Sequence, residues 1–140
     1  MKILVYGAGV IGSIFAGKLA LAGNDITVLA RGKRFTELKN DGIVLINPKT
    51  KKVEQVTVNV IDTLLPSDQY DYLIVSMQGT QVDDILPILS QNCSKNIVFV
   101  VNTASGYDKW VTAVGKDRLM SGFPSAGGER KDGKVFYFIG

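Results

Sequence analysis

Apolar and polar residues change rhythm several times along the chain, and each change marks an element. Ile3 to Tyr6 is an unbroken apolar run that stops at Gly7, the pattern of a strand buried on both faces of a parallel sheet. From Val10 to Leu21 the apolar positions Val10, Ile11, Ile14, Phe15 and Leu19 recur at helical spacing, and Gly23-Asn24 supplies a stop that tolerates left-handed backbone. Ile26 to Ala30 is a second buried strand. Residues 2 to 30 therefore read as strand, glycine turn, helix, glycine stop and strand, a βαβ unit.

Phe35 to Asn40 predicts a turn or two of helix closed by Gly42. Ile43 to Ile46 and Val53 to Val60 alternate around Asn47-Pro48-Lys49-Thr50 and predict an antiparallel pair at a sheet edge. Tyr72 to Val75 and Ile97 to Val101 are further buried strands. Between them Thr80 stands where it could cap a helix from Gln81 to Leu89, with Asp83 completing a capping box and Pro87 kinking the helix or shifting its start. Tyr107 to Val114 predicts a short helix, and Leu119 to Phe123 and Val135 to Ile139 predict the last strands. At 140 residues this alternation implies one domain, 1–140: a Rossmann-type doubly wound α/β fold, three-layered, its mostly parallel sheet carrying an antiparallel edge. Ligands on such sheets bind beyond the carboxyl ends of the strands, which here means Gly7 to Gly12, Arg31, Ser76 to Gln78 and Asn102.

Composition narrows the chemistry. Hydrophobic residues at 46% and charged residues at 21% fit an ordinary globular domain, whereas 15 glycines in 140 residues exceed the usual share of about 7%. Sixteen Lys and Arg against thirteen Asp and Glu leave +3, too little and too scattered for nucleic acid but enough for a small anion. One cysteine, Cys93, and no histidine exclude disulfide frameworks, Cys/His zinc sites and histidine-based triads within the chain. The single cysteine fits a reducing cytoplasm, and no apolar run approaches the roughly 18 residues of a membrane span, so the expectation is a cytoplasmic protein without membrane or nucleic-acid partners.

Gly7-Ala8-Gly9-Val10-Ile11-Gly12 fits G-x-G-x-x-G between a predicted strand and helix, the context in which the motif binds a dinucleotide. The first glycine permits the tight turn, the second lets backbone approach a pyrophosphate, and the third packs helix on strand. About 20 residues beyond, where NAD-binding domains carry an acidic residue on the ribose hydroxyls, this chain has Arg31. A guanidinium cannot accept those bonds but can grip a 2′-phosphate in a fork, with Lys33 and Arg34 adding charge, so the expected cofactor is NADP(H); the competing account is a solvated basic loop. Gly128 to Lys134 imitates a P-loop, but Val135 replaces the magnesium-binding hydroxyl and the stretch from Val135 to Ile139 reads as strand rather than helix, so a polar turn is the better account. Gln78 and Asn102 stand at strand exits; an asparagine there is more often a turn residue than a site residue. Trp110, Tyr70 and Tyr72 read as packing aromatics.

With these residues in hand, the chain resembles the N-terminal cofactor domain of the ketopantoate reductases (2-dehydropantoate 2-reductases), most closely at Met1 to Ser13, Val28 to Gly32 and Asp71 to Val75. The resemblance implies that Arg31 reads the NADP phosphate, that Gln78 belongs to the cofactor site, and that Asn102 sits beside nicotinamide and substrate. It also implies hydride transfer to a 2-oxo acid such as 2-dehydropantoate, in pantothenate biosynthesis, and leaves a homodimer open. Two positions depart from the pattern: Gln78-Gly79-Thr80-Gln81 replaces Lys-Ala-x-Gln, and Val101-Asn102-Thr103 replaces Gln-Asn-Gly. The lost lysine loosens the link to ketopantoate as substrate. The family's helical second domain, with its proton-donating lysine and substrate-binding glutamate, has no counterpart in these 140 residues, so this piece alone is expected to be inactive. An NADP(H)-binding sensor is the alternative; Arg31 argues against S-adenosylmethionine, whose sites favour an acidic residue there.

Overall fold

The computed structural model describes residues 1–101, 106–122 and 124–139. Strands β1 (Lys2–Tyr6), β2 (Asp25–Leu29), β5 (Asn59–Ile61), β6 (Tyr72–Val75), β7 (Ile97–Phe99) and β8 (Leu119–Ser121) form a six-stranded sheet in the order β5-β2-β1-β6-β7-β8, every pair parallel. The chain starts at the sheet centre, winds outward to one edge, returns to β6 and winds to the other. The Rossmann-type α/β expectation is thus met, with the order reversal falling between β1 and β6.

Strand side chains alternate between two cores. Ile3, Val5, Ile26 and Val28 face one side, while Leu4, Tyr6, Leu73, Val75, Ile97 and Phe99 face the other. The second side is covered by helices α3 (Gly79–Gln91) and α4 (Asp108–Val114). There Trp110, 3% exposed, stacks on Phe99 with ring centroids 4.9 Å apart, which makes it a packing aromatic as expected.

The first side is covered by helices α1 (Val10–Leu21) and α2 (Gly32–Asp41), and beyond α1 lies a second sheet that sequence reading did not foresee. Strands β3 (Ile43–Ile46), β4 (Val53–Val56), β9 (Ala126–Lys131) and β10 (Lys134–Ile139) form it in the order β4-β3-β10-β9. The β3–β4 hairpin is antiparallel as predicted, but it belongs to this sheet and leaves the main one wholly parallel. The predicted strand Val53 to Val60 is correspondingly broken at Thr57-Val58, so that β4 serves the second sheet and β5 the first. Sandwiched between two sheets, α1 is apolar nearly all round. Gly17 marks the closeness of that packing: a Cβ there would stand 2.8 Å from Leu45 Cδ1 and 2.9 Å from Ile43 Cγ2.

The β9–β10 hairpin turns through Asp132 and Gly133, both left-handed at φ 52° and 76°, a pair suited to a two-residue turn. The P-loop look-alike is therefore part strand and part turn; Ala126 to Lys131 was not predicted as strand because its glycines and charges hide the alternation. No helix among the described residues is long and apolar enough to cross a membrane.

Candidate cofactor site

The glycine turn lies at the carboxyl end of β1, where the order reversal opens a cleft of about 960 Å³ between the β1, β2 and β6 exits. Each glycine there has its own reason. Gly7 has φ 113°, and a Cβ on it would collide with the Ser76 carbonyl at the β6 exit. At Gly12 a Cβ would collide with the Gly7 carbonyl and press on Val5 Cγ1 at 3.4 Å, so this glycine seats α1 against β1. Gly9 differs from both. Its φ is −75°, which any residue can adopt, and a Cβ there would meet no protein atom within 4 Å. What it would fill is the cleft.

Gly9 is also the N-cap of α1, and the first intrahelical bond there runs from the Ser13 N–H to the Gly9 carbonyl at 3.0 Å. The amides of Val10, Ile11 and Gly12 precede that bond, so the helix supplies them with no acceptor, and no acidic side chain occupies the first turn. Ala8, Val10 and Ile11 complete the lining of this wall. Exposed amides, the positive end of α1 and a contour that a single methyl would fill suit the pyrophosphate of a dinucleotide.

Three arginines border the turn, in different states. Arg31 caps α2 at the β2 exit, is exposed, and has no acidic partner among the described residues. Its guanidinium lies beside the Tyr6 hydroxyl; burial pushes the Tyr6 pKa up, and Arg31 opposes that rise. Arg34, expected to add charge near the ligand, is instead 7% exposed and built into the fold. It donates from Nε to the Ala8 carbonyl (2.9 Å), from one terminal nitrogen to Ser13 Oγ (2.8 Å), and from the other to Glu37 (3.3 Å) and the Gly133 carbonyl (3.2 Å). Burial lowers its pKa, Glu37 counters that and Arg130 adds to it, yet a guanidinium stays protonated. Arg130, missed from the sequence, reaches over from β9 to donate to the Ala8 carbonyl at 3.2 Å and lines the cleft.

The opposite wall is the start of α3. The Thr80–Asp83 capping box does not form: the helix begins two residues earlier, at Gly79, with Gln78 as N-cap, whose N–H donates to Gln81 Oε1 at 3.3 Å. Asp83 instead accepts from Lys109 Nζ (3.1 Å) and Trp110 Nε1 (3.4 Å), joining α3 to α4, a partnership that local spacing cannot reveal. Pro87 lies inside α3 on its exposed face, and the helix runs on past it to Gln91 while Ile85, Leu86 and Leu89 hold it on the sheet. Gln78 lines the cleft, as do Gly7 to Ile11 and Arg31; Gly12 sits behind them in the α1–β1 contact, and Asn102 lies outside the described residues.

Comparison with known proteins agrees with this geometry. A family model described as ketopantoate reductase PanE/ApbA matches residues 3–140. The chain belongs to the ketopantoate reductase family. It is 31% identical over 98 residues to a 2-dehydropantoate 2-reductase of Pyrococcus horikoshii, a match covering 70% of this chain and 30% of that protein. An oxidoreductase of Bacillus subtilis, YkpB, is 29% identical over 127 residues, 87% of this chain and 40% of that one. Among solved structures, a D-mandelate dehydrogenase bound to NADH and anilino(oxo)acetate superposes with a TM-score of 0.82 at 22% identity, covering 99% of this chain and 46% of its own. The 2-dehydropantoate 2-reductase of Methylococcus capsulatus gives 0.81 at 21%, with coverage of 99% and 46%. The chain thus spans less than half the length of these relatives, and their structures establish a shared fold.

Proposed function

We propose that this domain of a ketopantoate reductase-family oxidoreductase binds NADP(H) in preference to NAD(H), and that the whole protein reduces a 2-oxo acid such as 2-dehydropantoate. The observation that carries the cofactor reading is Gly9: a position open to any side chain by its backbone, yet empty beside unpaired amides at a helix start. Those amides would hold the pyrophosphate, and Arg31 at the β2 exit would meet the 2′-phosphate, since a guanidinium donates where a ribose hydroxyl requires an acceptor. Bound there, the cofactor would supply the hydride. The chain's own part is to orient it along the strand exits, with Gln78 on the α3 side and, on the family pattern, Asn102 beside the reacting carbonyl.

Proton donation to the carbonyl oxygen falls to a lysine that the family pattern assigns to a helical second domain, since this chain has no histidine and its cleft contains no lysine among the described lining residues. The replacement of the family lysine by Gln78 leaves the identity of the acid open to a ketone other than ketopantoate. One cysteine and no disulfide pattern favour a cytoplasmic setting. Calorimetric titration tests the cofactor reading. NADPH should bind about ten- to a hundred-fold more tightly than NADH, the value of one charged hydrogen bond, and Arg31→Asp should reduce or invert that ratio. Equal affinities in the unaltered chain would refute the phosphate role of Arg31.

A further inference from the structure

The β9–β10 register points Arg130 at the cofactor cleft. Arg130 pairs directly with Val135, whose side chain is fully buried against α1, and directly opposed residues of an antiparallel pair project from the same face. The Arg130 stem therefore leaves β9 on its inner face, toward the glycine turn. A slip of one residue would send Glu129 there instead and place a carboxylate beside the phosphates.

Arg130 and Arg34 share the Ala8 carbonyl, but their bonding is unlike. Arg34 is buried, spends its donors on four partners and is charge-paired with Glu37 at 3.3 Å. Arg130 is exposed, makes one hydrogen bond to protein among the described residues, and has no acidic partner there. A guanidinium has five N–H groups, so the one bond to Ala8 fixes its position and leaves donors over. It is held at the cleft wall, near enough to Arg34 that its charge helps lower the Arg34 pKa. The Ala8 carbonyl that holds Arg130 also accepts from Arg34 of α2, the helix that Arg31 caps, and Arg31 and Arg130 line the same cleft. Holding cations so close together favours an anion between them.

We propose that Arg130 is a second phosphate-reading residue, and that the 2′-phosphate of NADP(H) is gripped between Arg31 from the main sheet and Arg130 from the second sheet. This rests on the NADP(H) reading of the cleft, and it assigns the second sheet a direct part in cofactor choice.

NADPH and NADH titrations of the unaltered chain, Arg130→Met and Arg130→Lys test it. Met keeps an apolar stem and removes the charge; Lys keeps the charge without the fork. Arg130→Met should weaken NADPH about ten- to a hundred-fold while changing NADH less than about three-fold, and Arg130→Lys should fall between the parent and Met. Unchanged NADPH affinity in both variants would overturn the proposal. So would equal losses for NADPH and NADH, which would assign Arg130 to the shared pyrophosphate or to the shape of the turn. If Arg130→Met does not fold, the Lys variant decides alone, by whether its NADPH/NADH ratio falls. An unaltered chain that binds neither dinucleotide would overturn the cofactor reading itself and this assignment with it, whereas a failure confined to Arg130 leaves NADPH binding and its dependence on Arg31 intact.

Discussion

Replacing Gly9 and Gly7 in parallel separates ligand binding from folding at two positions two residues apart. Gly9→Val puts a branched side chain on backbone at φ −75°, an ordinary extended conformation, and its Cβ meets no protein atom within 4 Å. Losing glycine at an N-cap costs about 0.5–1 kcal/mol, while stiffening the unfolded chain returns about 0.4–1 kcal/mol. Stability should therefore change by less than about 1 kcal/mol. Binding should suffer far more. The side chain would occupy the volume through which the pyrophosphate reaches the α1 amides, and each charged hydrogen bond lost is worth about 1.5–3 kcal/mol, so losing two weakens NADPH at least about a hundred-fold. Gly7→Ala should do the opposite. At φ 113° a non-glycine residue costs about 1–3 kcal/mol, and the collision with the Ser76 carbonyl adds to it, because that oxygen belongs to the β6 exit and cannot rotate away. The assays are urea unfolding and calorimetric NADPH titration. Near-normal NADPH affinity in a folded Gly9→Val protein would refute the ligand-facing role of Gly9, and a Gly7→Ala protein as stable as the parent would refute the close-approach argument.

Arg34→Met should destabilise the fold by about 2–4 kcal/mol, because it strips hydrogen bonds from Ser13 and the Ala8 and Gly133 carbonyls and leaves Glu37 unpaired; a loss below about 1 kcal/mol in urea unfolding would show that Arg34 is dispensable. Glu54 accepts from Lys18 at 2.7 Å and from the Tyr137 hydroxyl at 3.3 Å, and the Lys18 bond foremost holds its carboxyl below the ordinary value of 4.5. Its contribution, about 1 kcal/mol because Lys18 is partly exposed, is complete above 4.5 and fades as pH falls through the lowered folded value. Glu54→Gln should therefore be less stable than the parent at about pH 7, with the gap narrowing as the pH falls below 4.5, and a gap that stays constant down into the acid range would contradict the ion pair.

Much of this was legible along the chain, because the signals are local. Strand β1 is a run of apolar residues, the α1 stop is a glycine with φ 98° at Gly23, and Arg31 follows the second strand by simple adjacency. Glycine spacing announced the turn, since Gly7 and Gly12 answer to atoms of the same βαβ unit and its neighbouring strand exit. The start of α3 was misread because Ser, Thr, Asp and Glu are the usual capping signals, whereas here Gln78 and Gln81 share the role and Asp83 is drawn away to Trp110.

The second sheet, the burial of Arg34 and the reach of Arg130 belong to the tertiary structure alone. β3 and β10 pair in parallel, Leu45 beside Val135, across a separation that no local pattern bridges. Backbone hydrogen bonds between distant strands leave no signature in either strand's own sequence, and an arginine looks the same on a solvated loop as beneath a glycine turn. Position along the chain fixed which residues come after each strand. Which of the three cleft arginines would be buried, and which two would stay exposed, depended on the face that each strand and helix turns toward α1, and packing between the two sheets decided that.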